Sequence, residues 1–217
     1  MKKKRDAIAS WPGWWLLMQN VCIFAASSPK LARHYIDAAF ALGAALAENG
    51  IGLVFGGGRM GLMGACARGV QAKGGRITGV IPKKLNVPGI AFEHCDELIV
   101  TEDMHTRKAT MERLSGAYIA LPGGIGTLEE LLEVLTLNQL GYLSAPVVIF
   151  NQNGYYDALI GQLRVCVEQE FADASCLRLF AVADTPEEAV RALQAFELPE
   201  LPNKIKDAIK YDKEAST

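Results

Sequence analysis

Gly123, Gly124 and Gly126 place three glycines within four residues, and Thr127, Glu129 and Glu130 follow directly. An apolar run at 117–121 precedes them. Leu128-Glu129-Glu130-Leu131-Leu132-Glu133-Val134-Leu135 follows with the apolar spacing of a helix. Bare backbone N–H groups at a helix N-terminus make an anion site, most often one for phosphate. The lysine that a triphosphate loop places after its last glycine is missing here, so the turn suits a single phosphate rather than a magnesium triphosphate.

Three charged residues could work beside such a turn. Glu130 can be read in two ways. Thr127-x-x-Glu130 is the spacing of a capping box, in which the threonine caps the helix and the glutamate bonds back to its amide. The other reading puts the carboxylate in the cleft beside a bound sugar. Arg107 and Lys108 fall in the first turn of a helix expected to start near Met104, capped by Asp103. Cations there oppose the helix dipole at a cost of about 0.3–1 kcal/mol each when exposed. A solvated face would explain them, and so would an anion within reach, either a phosphate or Glu130. This helix precedes the 117–121 strand and the glycine turn follows it, so the two helix starts are expected at the same sheet edge.

Gly56-x-Gly58-x-x-Gly61 is a second glycine-rich turn, with the spacing of a dinucleotide fingerprint. It follows the second strand rather than the first, and no acidic residue lies about 20 residues on to hold a ribose hydroxyl. Arg76, Lys83 and Lys84 leave an NADP reading open. A tight turn touching a mononucleotide through Gly57 and Gly58 fits better. Met60, Met63, Met104 and Met111 flank the turns. Core packing is their default role, and a soft wall for a planar base is the alternative.

The elements that would position these residues alternate strand and helix. Strands are expected at 21–25, 52–55, 77–81, 97–100, 117–121, 146–150 and 179–182. Helices are expected after Ser27-Ser28-Pro29 to about 49, at 61–73, 104–114, 127–140, 155–170 and from Thr185-Pro186-Glu187-Glu188 to 196. The pattern implies an α/β fold: one Rossmann-like doubly wound parallel sheet of about seven strands, covered by helices on both faces. Ligands of such sheets bind outside the carboxyl ends of the strands, where both glycine turns fall.

With 217 residues, half of them apolar, the chain suits one catalytic domain at 19–197. An extension at 1–18 is expected to be poorly ordered. A tail at 198–217 has room for a short helix carrying Ile205 and Ile209. The net charge of −2, with both signs mixed, gives no electrostatic footprint for nucleic acid or an anionic membrane. Lys2-Lys3-Lys4-Arg5 before an apolar stretch resembles a signal peptide, but Pro12, Gly13, Gln19 and Asn20 interrupt it. Five scattered cysteines without a CxxC pair read as buried free thiols of a reducing, cytoplasmic compartment. The three histidines lack metal-ligand spacing, so no metal is expected.

Three motifs in this order resemble the LONELY GUY family: Gly56-Gly57-Gly58-x-Met60-Gly61-Leu62-Met63-Gly64, Met104-His105-x-Arg107-Lys108 and Pro122-Gly123-Gly124-x-Gly126-Thr127-x-x-Glu130. Asn138-Gln139-Leu140-Gly141 and Asn153-Gly154-Tyr155-Tyr156 fit as well, and the resemblance runs from about 20 to 196. It implies a cytokinin riboside 5′-monophosphate phosphoribohydrolase, of a family long mislabelled as lysine decarboxylases. Such an enzyme cuts the N-glycosidic bond of a nucleoside 5′-monophosphate to a free base and ribose 5-phosphate, without a cofactor. By position, Arg107 and Glu130 match its catalytic pair. Lys108, Gly123, Gly124, Ile125, Gly126, Thr127 and Thr136 match substrate-contacting positions. The resemblance also implies a homodimer or a larger homo-oligomer. Ala25-Ala26 departs from the Cys-Gly of many members, and Leu137 from a frequent tryptophan.

Cleaving that bond builds positive charge on the ribose, which a fixed carboxylate can stabilise. Two other functions fit the same residues, a non-catalytic nucleotide-binding module and an NADP-dependent oxidoreductase.

Overall fold

A computed structural model describes residues 19–199. The extension at 1–18 and the short helix expected around Ile205 and Ile209 lie outside the described residues. The strands are β1 (Asn20–Phe24), β2 (Gly52–Phe55), β3 (Ile77–Pro82), β4 (Glu97–Thr101), β5 (Ala117–Ala120), β6 (Val147–Phe150) and β7 (Ala181–Ala183). The helices are α1 (Arg33–Glu48), α2 (Gly61–Ala72), α3 (Met104–Arg113), α4 (Ile125–Leu140), α5 (Asp157–Glu168) and α6 (Pro186–Ala195).

The seven strands form one sheet in the order β4-β3-β2-β1-β5-β6-β7, and every neighbouring pair is parallel. The chain winds outward from β1 in one direction, then returns to the middle and winds outward from β5 in the other. The crevice between the carboxyl ends of β1 and β5 is therefore the topological switch point, where such sheets bind ligands.

The central strands are apolar on both faces because helices cover both. Alternate side chains of β1 show the division. Val21 and Ile23 pack with Leu42 and Leu46 of α1, Val70 of α2 and Leu193 of α6. Cys22 and Phe24 pack on the other face with Met111 of α3, Leu131 and Leu135 of α4 and Ile160 of α5.

Three expected boundaries move, each for a local reason. The first helix does not start at Ser28-Pro29; α1 starts at Arg33, and Ala32 caps it without a side-chain bond. Ser28 Oγ instead accepts from the Lys30 amide, which closes a small turn. Leu179 and Phe180 are buried but precede β7, so their apolar character reflects core packing rather than strand pairing. Tyr155 and Tyr156 stay outside α5, after a turn in which Asn153 has φ 55° and Gly154 has φ 71°.

Cys22 and Cys66 are buried free thiols, whereas Cys95, Cys166 and Cys176 are only part-buried. Among the described residues no helix is long and apolar enough to cross a membrane.

Candidate active site

The first turn of α3 is built by Asp103, whose carboxylate accepts from the Thr106 amide at 2.7 Å. That bond holds its carboxyl below the usual range. The cap fixes the start of α3 so that Arg107, one turn on, points inward to the sheet. Its Nε donates to the Val80 carbonyl at 3.2 Å, and its Nη1 donates to Glu130 Oε1 at 2.8 Å. Gly56 makes room for this guanidinium: a Cβ at Gly56 would lie 1.9 Å from Arg107 Nη2. The glycine matters here for close approach to an arginine, a role its fingerprint spacing did not suggest.

Glu130 and Arg107 are both buried. Burial raises the Glu130 pKa above its ordinary value, and the charge and hydrogen bond of Arg107 oppose that shift without cancelling it. The capping-box reading of Glu130 is overturned. Helix α4 begins at Ile125 with Gly124 as its cap, so Thr127 already lies inside the first turn. Thr127 is buried against Gly123, where a Cβ would come within 2.1 Å of its Oγ1. With no cap to serve, the Glu130 side chain is free to meet Arg107. The same four-residue pattern does form a cap at α6, where Thr185 Oγ1 accepts from the Glu188 amide at 3.2 Å and Glu188 Oε2 accepts from the Asp184 amide at 3.0 Å.

The turn leading into α4 sits at the switch point beside this pair. Each of its three carbonyls is engaged by a protein donor. Tyr156 Oη donates to Leu121 O at 2.7 Å, the Ala26 amide donates to Pro122 O at 3.2 Å, and Tyr155 Oη donates to Gly123 O at 2.8 Å. A Cβ on Gly124 or Gly126 would meet nothing within 4 Å, so both face open space. The first amides of α4 have no intrahelical acceptor and are available to an anion.

The second glycine turn is arranged differently. The Leu62 and Met63 amides at the start of α2 donate to Ala26 O at 2.9 and 3.3 Å. A Cβ on Gly61 would lie 2.4 Å from that same oxygen. The chain's own carbonyl occupies the place a pyrophosphate would take, which argues against the dinucleotide reading. Gly57 O accepts from the Phe92 amide at 2.8 Å, and Gly58 bridges to Ala91, so this turn is tied to the loop after β3. Met63 and Met111 are core residues, whereas Met60 and Met104 are exposed.

Lys108 turns away from Arg107. Its Nζ pairs with Glu129 and, at 2.8 Å, with Glu133 of α4. Burial lowers its pKa, but these two carboxylates outweigh that effect and hold it above the ordinary value. Thr136 lies nine residues beyond Thr127, about 13 Å along the helix. It stands on the exposed face of α4 with Ile125, Leu128, Leu132 and Leu137, and its Oγ1 donates back to Leu132 O. Sequence reasoning singled out neither Gly56 as the arginine's neighbour nor Ala26 and Tyr155 as braces; the Asn153-Gly154-Tyr155-Tyr156 motif was the available signal for the last.

A doubly wound parallel sheet with an open helix start and a buried arginine–carboxylate pair at its switch point defines an α/β domain of Rossmann-like class with a ligand crevice at that point. A family profile described as "Possible lysine decarboxylase" matches residues 63–193. The chain is 44% identical over 178 residues to a "Probable cytokinin riboside 5'-monophosphate phosphoribohydrolase" of Oryza sativa subsp. japonica, covering 82% of this chain and 71% of that one. It is 42% identical over 179 residues to a "Cytokinin riboside 5'-monophosphate phosphoribohydrolase" of Arabidopsis thaliana, covering 82% of each. The molybdenum cofactor carrier protein of Chlamydomonas reinhardtii shares the fold, with a TM-score of 0.63 at 23% identity over 82% of this chain and 96% of that one. The chain belongs to the cytokinin riboside 5′-monophosphate phosphoribohydrolase family.

The decarboxylase description implies pyridoxal phosphate on a lysine with a readily lost proton. Lys108, next to Arg107 in sequence, is held as a cation by Glu129 and Glu133, so it does not fit that use.

Proposed function

We propose that the protein hydrolyses the N-glycosidic bond of purine nucleoside 5′-monophosphates, AMP or a cytokinin nucleotide, and releases the base and ribose 5-phosphate. The observation that carries this reading is the buried Arg107–Glu130 pair at the switch point, next to an open helix start. The amides that follow Pro122, from Gly123 to Thr127, bind the 5′-phosphate. Binding energy from that remote group positions the sugar. Glu130, as a carboxylate, stabilises the positive charge that develops on the ribose and orients the attacking water. Arg107, anchored on Val80 O, holds Glu130 in place and favours its ionised form. Gly57 and Gly58 shape the opposite wall.

The apolar stripe of α4 supports a homodimer. Ile125 is 87% exposed and Leu132 40%, and together with Leu128 and Leu137 they line one open groove. A second copy of the chain covers this face, and Thr136 lies within it; Lys108, tied to Glu129 and Glu133, flanks it. Free buried thiols at Cys22 and Cys66 agree with a cytoplasmic setting. The test is incubation with AMP and with isopentenyl-type nucleotides, followed by chromatography for free base. Release of base from the nucleotides and far less from the nucleosides supports the reading; binding without release overturns it.

A further inference from the structure

The phosphate turn is held from behind by a segment that the catalytic reading leaves unused. Tyr155 and Tyr156 follow the Asn153-Gly154 turn after β6, and both hydroxyls reach back to the 121–123 backbone. Their own positions are fixed. Asn151 Oδ1 accepts from the Tyr156 amide at 2.7 Å, and its Nδ2 donates to Asp157 at 2.8 Å. The ring of Tyr155 lies edge-on to Tyr156 at 5.0 Å and to Tyr35 of α1 at 6.1 Å.

The two hydroxyls do different things, because the peptide units they grip differ. In a trans peptide the C=O and the following N–H point in opposite directions. The Gly123 carbonyl, held by Tyr155, therefore fixes the direction of the Gly124 N–H, which points away from the tyrosine; Gly124 itself is exposed, and a Cβ there would meet nothing within 4 Å. The Leu121 carbonyl, held by Tyr156, precedes Pro122, which has no N–H to direct. Tyr156 is buried, so its bond satisfies a core carbonyl and nothing more.

We infer that Tyr155 is a positioning residue for the phosphate site: its hydroxyl aims the Gly124 amide at the ligand's phosphate, while Tyr156 only supports the fold. The peptide unit between Gly123 and Gly124 has a glycine on each side, with wide freedom at φ and ψ, so without the hydroxyl it can rotate. The amide then loses its aim at the phosphate, although Tyr155 never touches the ligand. This inference rests on the phosphate site proposed above, but it does not require that the bond be cleaved.

The test titrates ribose 5-phosphate into the wild type, Tyr155→Phe and Tyr156→Phe by calorimetry, and measures AMP and adenosine turnover in parallel. Tyr155→Phe keeps its ring contacts and should keep its melting temperature. Its affinity for ribose 5-phosphate should fall about fivefold, the worth of one hydrogen bond. KM for AMP should rise by the same factor with kcat held, and adenosine turnover should not change. Tyr156→Phe should melt earlier and keep its affinity. Equal affinities in the wild type and Tyr155→Phe overturn the inference, as does a wild type that binds no ribose 5-phosphate. A weaker Tyr155→Phe in a protein that releases no adenine supports the brace and overturns the proposed reaction.

Discussion

Arg107 and Glu130 meet at 2.8 Å across the space between two helix starts, with their side chains only 8% and 9% exposed. One helix leads into β5 and the other leaves it, so a strand of four residues brings together charges 23 positions apart. Burial pushes the Glu130 pKa up, and Arg107 pulls it back only in part. The active form in the proposed reaction is the carboxylate. Activity on AMP should therefore fall on the acid side as Glu130 takes up a proton, at a pH above that of an ordinary glutamate. A pH–rate profile of kcat/KM checks this.

Arg107→Ala removes the two larger influences that lower the Glu130 pKa, the charge and the hydrogen bond of the guanidinium, and leaves only the weaker pull of Lys108. The acid limb of that profile should move further up in the variant, toward neutral pH. At neutral pH and above, the uncompensated carboxylate should also destabilise the fold by about 3–5 kcal/mol. Protonation relieves that cost, so the loss in thermal unfolding should shrink as the pH falls.

Gly56→Ala should act through Arg107 without altering any charged group. The new methyl would sit 1.9 Å from Nη2, and the guanidinium must leave its place between Val80 O and Glu130. A fall of kcat on AMP, with unchanged affinity for ribose 5-phosphate, is the expected pattern in steady-state kinetics and calorimetry.

The glycines of the phosphate turn should separate by role. Gly124→Ala meets no atom within 4 Å, so the fold should tolerate it, while the methyl would intrude on the proposed phosphate site. KM for AMP should rise without a loss of melting temperature. Gly123→Ala collides with the Thr127 side chain and should lower both melting temperature and affinity. Comparing the two variants by thermal unfolding and kinetics checks the assignment.

Much of this was legible in the chain because the sheet is parallel and buried. Uninterrupted apolar runs such as Leu53-Val54-Phe55 and Ala117-Tyr118-Ile119-Ala120 mark strands with few alternatives. The order of the motifs likewise put Arg107 and Glu130 at one sheet edge. Local spacing failed where tertiary contact decided the outcome. Thr127-x-x-Glu130 and Thr185-x-x-Glu188 carry the same capping signal, yet only the second forms a cap. Glycine at 124 lets α4 start early, and a buried arginine then competes for Glu130. No residue near Gly56 in sequence announces that Arg107 will lie against it, and nothing near Gly123 announces Tyr155. Both contacts join segments more than 30 positions apart.

The most direct test of the account is the release of adenine from AMP by the wild type and by Glu130→Gln, measured at saturating substrate and neutral pH. Glutamine keeps the size of the side chain and one acceptor for Arg107, but it cannot carry charge. Free adenine and ribose 5-phosphate are expected from the wild type, with a kcat lower by about a hundred- to a thousand-fold in the variant and unchanged affinity for ribose 5-phosphate. Near-normal turnover by Glu130→Gln would show that this carboxylate does not perform the chemistry.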